Sequence, residues 1–135
     1  MELLYKATIP LNPVTKKNSP KIITIKKRIG NRIVNQRMVA PSDAFVYYQN
    51  QSMYYLNLSK KPAEPIAVPV EVRCLFYRDS RRRVDLTNLE EAIDDILVHA
   101  KILKDDDCKI LVSHDGSRVI LGSEEPRTEI EIYSL

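Results

Sequence analysis

The side chains of this sequence that could do chemistry are concentrated between residues 81 and 110. Three consecutive arginines, Arg81, Arg82 and Arg83, share this stretch with eight carboxylates. Mg²⁺ in proteins needs only one or two carboxylates, because water and substrate phosphate oxygens complete its coordination. A cation held in this way can polarise a phosphodiester, and arginines beside it can hold phosphate oxygens. The stretch therefore predicts a metal site and a phosphate site that are neighbours.

One predicted helix, roughly 87–101, orders most of these acids. Its apolar residues recur at helical spacing and form a stripe for the core: Leu89, Ala92, Ile93, Ile96 and Ala100. On another face, Asn88, Glu91 and Asp95 stand three and four residues apart, close enough to act together. Asp85 precedes the helix, and a run of three aspartates, 105–107, follows it. We therefore expect several carboxylates to meet at one point.

Plainer explanations of the same residues stay open on spacing alone. The arginine triplet could be a solvated charge run between two elements. The acids could form an exposed helix face, and the run 105–107 could be a polar turn that caps the next segment. His99 lies in the last turn of the helix, where a donor near exposed carbonyls is common, and His114 lies in a turn context. Neither histidine belongs to a His/Cys cluster.

The net charge of +3 conceals a strong asymmetry along the chain. Residues 1–60 hold ten Lys or Arg and two acids, hence +8, whereas residues 61–135 hold eleven and sixteen, hence −5. Basic segments bind polyanions through phosphate contacts and counterion release. Acidic clusters beside them hold divalent cations or form a solvated face. An unevenly charged solubilising surface would have the same composition.

The pattern of elements predicts a single domain, residues 1–135, of the α/β (α+β) class. We expect a strand at 5–10, a hairpin turning at Gly30-Asn31, a helix over 43–58 with Ser42 as its N-cap, and strands at 66–77 and 128–134. In the first helix, Phe45, Val46, Met53 and Leu56 are predicted to share a face. In the strand 66–77, Val68, Val70, Val72, Cys74 and Phe76 should point one way. These elements make a mixed sheet with two main helices on one face.

Composition and termini favour a cytoplasmic protein. The sequence contains no run of about 18 apolar residues, the length that a membrane-spanning helix needs. The N-terminal stretch carries an early acid and prolines and lacks a small-residue cleavage site, which argues against a signal peptide. Cys74 and Cys108 lie far apart, so two reduced thiols are the default expectation.

The segment "RRVDLTNLEEAIDDIL…LKDDDCKI" resembles the signature of the RusA-type Holliday junction resolvases. That signature is an Asp, one residue, an Asp followed by Asn, a helix containing a Lys, and a later Asp-Asp pair. Asp85, Asn88 and Asp95 match its first Asp, its Asn and a helical Asp. The later pair falls on Asp105-Asp106 or on Asp106-Asp107, and Asp106 belongs to both alignments. "PVTKKNSPKI", "APSDAFVYYQN" and "PRTEIEIY" also look like family segments.

The resemblance implies a mixed α/β fold and a homodimer that nicks four-way DNA junctions in symmetric pairs, in recombination or repair. It also implies Mg²⁺, with Mn²⁺ as an alternative. Asp85 and Asp106 would be metal ligands, Asp105 or Asp107 would support them, Asn88 would orient the site, and Asp95 would be a further supporting residue. DNA contacts would come from five residues: Lys16, Lys17, Arg81, Arg82 and Arg83.

Two positions depart from the family pattern. Thr87 stands where the family has its second acidic ligand, and Glu91 stands where it has the helical Lys. A Thr hydroxyl can touch Mg²⁺ but brings no charge, and Thr87 with Glu90 also predicts a capping box that starts the helix at this position. We hypothesise that Glu91 partly restores the missing acid. Arg83 or Lys104 could replace the missing Lys.

Three other functions are compatible with parts of the sequence. The first is a relative that binds junctions or branched DNA with weak or lost nuclease activity. The second, a small-molecule phosphohydrolase, would not need the +8 segment, and the third, a purely structural protein, does not explain the ordered motif. A tyrosine cluster on the first helix, Tyr47, Tyr48, Tyr54 and Tyr55, would pack that helix or a dimer seam, or stack on bases.

Overall fold

The computed structural model describes residues 1–16 and 21–135. The elements follow one another as β1 (Leu3–Ile9), β2 (Lys21–Ile29), β3 (Arg32–Ala40), α1 (Asp43–Leu58), β4 (Val70–Tyr77), α2 (Leu86–His99), β5 (Leu111–Ser113), β6 (Arg118–Ile120) and β7 (Arg127–Ser134). A mixed sheet with two helices confirms the predicted fold class. Within the described ranges, no helix is long and apolar enough to cross a membrane.

The main sheet is built around β4 and β7. β7 lies between β1 and β4 and is antiparallel to both, while β5 and β6 each pair in parallel with β4. β4 begins directly after Pro69, because proline has no N–H to contribute to a ladder. The prediction that Val68 belongs to the inward row was therefore wrong: Val68 precedes the strand and is 49% exposed.

One hydrophobic core joins the sheet to both helices. Val72, Cys74 and Phe76 of β4 are fully buried, as predicted from their alternation. The predicted α2 stripe is also buried, together with Leu97 and with Ile130 and Ile132 of β7. Cys74 and Cys108 are both free, and burial raises the pKa of the Cys74 thiol well above its usual value.

Helix α1 begins where the sequence predicts but buries a different face. Ser42 is the N-cap, and its hydroxyl accepts the Phe45 N–H at 3.1 Å. The buried side chains, four residues at helical spacing, are Phe45, Tyr48, Ser52 and Leu56. Val46 is 40% exposed, so its predicted place on the core face was wrong. Tyr48 occupies that face instead, and burial raises its pKa to about 12.

Helix α2 ends in a turn that redirects the chain toward the acidic run 105–107. Lys101 adopts a left-handed conformation, φ 60°, and its N–H donates to the Val98 carbonyl at 3.0 Å. The next N–H, from Ile102, donates to the Leu97 carbonyl at 3.0 Å, which completes a Schellman motif. Ile102 and Leu103 are then fully buried, so the loop that follows is anchored at its start.

The strands β2 and β3 form a separate two-stranded sheet, which confirms the predicted hairpin. Their pairing runs from Lys21↔Ala40 to Ile29↔Arg32, leaving Gly30 and Asn31 as the turn. Gly30 has φ 61°, the positive value that a two-residue hairpin turn needs and that glycine adopts at little cost. The hairpin contributes no residue to the buried core.

Candidate active site

Lys16 is the cation around which acids of α2 and the following loop gather. Its ammonium donates to Asp95 Oδ2 at 2.9 Å, although the two residues are 79 positions apart. The hydrogen bond with Asp95 raises the pKa of Lys16, and the nearby charges of Glu91 and Asp106 act in the same direction. The loop after β1 thus places a positive charge beside carboxylates of α2.

Asp106 lies in a concentration of negative charge. Partial burial raises the pKa of Asp106, and hydrogen bonding with Asp105 and the charges of Asp95 and Asp105 raise it further. A carboxylate whose neighbours disfavour its ionisation is one that an added cation would stabilise. Among the described residues, the carboxylates of Asp95, Asp105 and Asp106 outnumber the ammonium of Lys16 at this point.

The other two aspartates of the run are engaged differently. Asp105 Oδ1 accepts the Asp106 N–H at 2.8 Å, and Asp107 Oδ1 accepts the Lys109 N–H at 2.9 Å. Asp105 and Asp107 also line a cavity of ≈ 320 Å³ with Lys104 and Lys109. Of the three, Asp106 has its electrostatic neighbours on α2 and at Lys16.

Asp85 and Thr87 meet at the N-terminus of α2, and the predicted capping box was wrong. Asp85 is the N-cap: its Oδ1 accepts the Thr87 N–H at 3.2 Å and the Thr87 hydroxyl at 2.6 Å. The helix begins at Leu86, one residue before its predicted start, because a carboxylate caps as well as a hydroxyl and Asp85 comes first. Thr87 is therefore inside the first turn, oriented toward Asp85.

The predicted acids are thus spread along α2 and do not converge on one point. Asn88, Glu91 and Asp95 share one face, but Asp85 and Asp95 are separated by about 15 Å along the helix axis at 1.5 Å per residue. Within residues 1–16 and 21–135, no group of three or more His, Cys, Asp or Glu side chains is placed to hold a metal ion. The nearest approach to such a group is at Lys16, which forms an ion pair with Asp95 and is influenced by the charges of Glu91 and Asp106.

The remaining predicted contact residues lie at the surface. Arg81, Arg82 and Arg83 are exposed in the connection between β4 and α2, just before Asp85. The Arg81 side chain runs close to Gly122, where an added Cβ would lie 3.4 Å from the guanidinium. Lys17 falls outside the described residues. Among the tyrosines, Tyr47 and Tyr54 are exposed on α1, whereas Tyr48 is in the core.

A buried acid–histidine pair escaped the sequence reasoning. His114 Nε2 lies 2.9 Å from Asp94 Oδ2, and its Nδ1 donates to the Val72 carbonyl at 2.9 Å. Burial opposes the charge on His114, but the hydrogen bond to Asp94 and the charges of Asp94 and Glu90 outweigh it and raise its pKa. The pKa of Asp94 is also raised, in this case by burial itself, which disfavours the charged carboxylate. The i, i+4 spacing of Glu90 and Asp94 was the available signal, but nothing in the sequence linked them to His114.

Comparison with known families supports the resemblance that the motif suggested. A family model described as endodeoxyribonuclease RusA matches residues 10–133, nearly the whole chain. No curated protein matches the chain. The matched range spans β4, α2 and the acidic run 105–107, so it includes every described acid discussed above.

Proposed function

The chain belongs to the RusA family of endodeoxyribonucleases, which resolve Holliday junctions, and from this premise we propose that it resolves four-way DNA junctions by paired, symmetric nicks. The observation that supports catalysis is the group of carboxylates on α2 and its following loop, gathered around Lys16. Nucleases of this family are generally dependent on a divalent metal. The proposed cation is Mg²⁺, with Mn²⁺ as an alternative.

The residues around Asp106 fit a divalent cation by their chemistry. Carboxylate oxygens are the ligands that Mg²⁺ prefers, and Asp106, whose pKa is raised by partial burial and also by its contacts with Asp105 and Asp95, lies among other carboxylates. We assign Asp106 and Glu91 to this end of the site and Asp85, with Thr87, to the N-terminal end of α2. Asp105 and Asp107 have supporting roles. When bound, the cation would polarise the phosphodiester and stabilise the leaving oxygen.

The chain's own cations would bind and orient the DNA. The exposed arginines before α2 lie next to Asp85, where they would hold backbone phosphates. Lys16 would stabilise negative charge that develops on the phosphate, in place of the family's helical Lys. Asp95 positions that ammonium through their ion pair, and Asn88 on the same helix face would orient the site.

The function is tested by incubating the protein with a labelled four-way junction and with a matched linear duplex, in Mg²⁺, in Mn²⁺ and in EDTA. Paired nicks near the crossover that require the metal are the expected result. A two-fold homodimer would match two sites to the symmetry of the junction, and sedimentation measures that state. Cleavage of the duplex and the junction at equal rates would contradict the assignment.

The alternative function is a junction-binding protein without turnover. The observation that favours it is the Asp85 carboxylate, which is committed to the helix cap and to the Thr87 hydroxyl. Such a protein would bind the junction with an affinity that depends on salt but not on Mg²⁺. Tight binding with no nicks in either metal would establish this alternative.

Glu91→Gln is expected to abolish metal-dependent cleavage if Glu91 replaces the acid that Thr87 lacks. The substitution preserves shape and removes one charge from the group around Lys16. Single-turnover cleavage of the junction measures the effect, and Glu124→Gln, at an exposed position outside the site, is the control. Retained cleavage in Glu91→Gln would contradict this role.

Lys16→Met is expected to slow single-turnover cleavage by on the order of 10²-fold, because positioned donors of this kind contribute a few kcal/mol to the transition state. Binding of Mg²⁺ alone, measured by calorimetry, should tighten, since the variant removes a cation that competes for the same acids. Lys104→Met, a change of the same type near Asp105, tests the other candidate. A larger rate loss in Lys104→Met than in Lys16→Met would overturn the assignment.

A further inference from the structure

The β2–β3 hairpin, residues 21–40, extends from the domain as an arm. Its strands form a sheet of their own, and all of their residues are exposed except Ala40, which is half-buried. Nine paired positions at about 3.3 Å per residue make the arm roughly 30 Å long. An isolated hairpin is only marginally stable in water, so an arm of this length that packs on no core suggests a role outside the core.

The arm is strongly and uniformly basic. Residues 21–40 contain no acid and six cations: Lys21, Lys26, Lys27, Arg28, Arg32 and Arg37. Lys21, at the base, is paired with Asp43 of α1. The arm therefore accounts for most of the positive charge in residues 1–60.

The strand register divides the arm into two different faces. On the apolar face, Ile23 pairs with Met38, and Ile25 and Val34 lie on the same side. These four side chains are only 36–44% exposed, because they shield one another across the strands. This row of four stabilises the arm from within and needs no partner to explain it; Lys21, Lys27 and Arg32 lie on the same side.

The opposite face of the arm, called the polar face below, is polar at its centre, and it also carries Ile22, Val39 and Ile33, which are 70–74% exposed. Three alternate rungs pair Thr24 with Arg37, Lys26 with Asn35, and Arg28 with Ile33. The polar face thus combines three cations with a hydroxyl and an amide, which are the groups that contact phosphate oxygens and base edges in protein–DNA complexes.

We propose that the polar face of the arm docks on a duplex arm of the DNA junction. The inference rests on the proposed function and adds a DNA-binding surface outside the acidic site. A two-stranded β-ribbon fits the major groove of B-DNA, and the row of cations complements the phosphates that border it. The arm would hold one duplex while the acids of α2 act at the crossover.

The test compares two triple variants that remove the same charge from opposite faces. Lys26→Gln, Arg28→Gln and Arg37→Gln together neutralise the polar face. The control, Lys21→Gln, Lys27→Gln and Arg32→Gln together, neutralises the three cations on the apolar side. Dissociation constants for the four-way junction and for linear duplex are measured in EDTA at several salt concentrations. Thermal unfolding verifies that both variants fold like the wild type, as expected for changes outside the core.

We expect the polar-face variant to bind both DNAs at least tenfold more weakly at about 0.1 M salt. The slope of log affinity against log salt concentration should become shallower by about 2 to 3 units, close to one unit for each phosphate contact removed. The control should change the slope by less than one unit. Equal losses in the two variants, or no loss in either, would overturn the proposal.

Two further outcomes separate the arm from the rest of the assignment. If the wild type cleaves junctions and the polar-face variant binds them with unchanged affinity, only the proposal for the arm is overturned. A wild type that binds neither DNA would overturn the proposed function together with the arm. The alternative partner of the arm is a second copy of the chain, and sedimentation of Ile23→Thr tests it. If Ile23→Thr no longer self-associates and the polar-face variant binds DNA with unchanged affinity, the arm is assigned to that second copy.

Discussion

Replacing Asp106 with Asn is expected to slow junction cleavage by on the order of 10³-fold, the upper range for removing one group that stabilises transition-state charge. Asp106 is the aspartate of the run 105–107 whose electrostatic neighbours include both Lys16 and Asp95. The Asn side chain keeps the shape but brings no charge to a cation. Binding of the junction in EDTA should be unchanged or tighter, because one carboxylate no longer repels phosphate. Single-turnover cleavage and binding titration measure the two effects.

Asp115→Asn is the matched control, since Asp115 is an exposed aspartate in the turn between β5 and β6. Asp105→Asn and Asp107→Asn, compared with each other, identify the partner of Asp106 in the acidic pair. Cleavage that survives in Asp106→Asn would show that the loop after α2 does not supply a catalytic acid. Loss of binding together with cleavage would instead indicate a structural role.

Asp94→Leu is expected to lower the free energy of unfolding by about 3 kcal/mol at pH 6, because it leaves a largely buried His114 without its partner. The Asp94 and His114 side chains are only 14% and 18% exposed, so solvent screens their interaction weakly. Nδ1 of His114 donates to the Val72 carbonyl, so a second proton on Nε2 makes the ring a cation that Asp94 stabilises. Urea unfolding at pH 6 measures the loss.

The same pair makes a signed prediction for pH. The pKa of His114 is raised in the folded state, so its contribution to stability is complete below its usual value near 6.5 and is lost as pH rises through the raised value. The raised pKa of Asp94 likewise makes stability decrease as pH rises, beginning at the usual pKa of that carboxyl group. In Asp94→Leu the pKa of His114 should be lower, so the pair's contribution that the wild type loses with rising pH is already missing. The difference in free energy of unfolding between wild type and variant should therefore become smaller between pH 6 and pH 8.

Asp94→Asn is the companion variant, since an amide can donate to a neutral Nε2 and keep the hydrogen bond. Its loss of stability should be smaller than that of Asp94→Leu, and the pKa of His114, followed by NMR, should fall. Glu90, on the same helix, also faces His114 and should keep part of the raised value. A His114 pKa that does not change in Asp94→Asn would contradict the pairing.

Much of the fold was predictable because its signals are local. The Gly30-Asn31 turn, the Ser42 cap and the α2 stripe each depend on residues within a few positions of one another, whose spacing sets which side chains share a face. The same holds for part of the site: Asn88, Glu91 and Asp95 share a helix face in any fold that keeps α2 helical.

Local signals failed where two neighbouring choices were nearly equal. Asp85 and Thr87 are both good N-caps, and the helix uses Asp85, which comes first along the chain. On α1, an apolar count favoured Val46, but the packing of the helix against the sheet buried Tyr48. Binary patterning does not distinguish adjacent faces of a helix whose residues are apolar on more than one side.

The sequence by itself determined which acids lie on one helix and which cations precede it, since that follows from helical periodicity alone. Only the tertiary structure decided what those acids meet. The Lys16–Asp95 ion pair joins residues 79 positions apart, and the His114–Asp94 pair joins a turn to a helix 20 positions away. Such contacts depend on the path of the whole chain through the sheet, and no local spacing encodes that path.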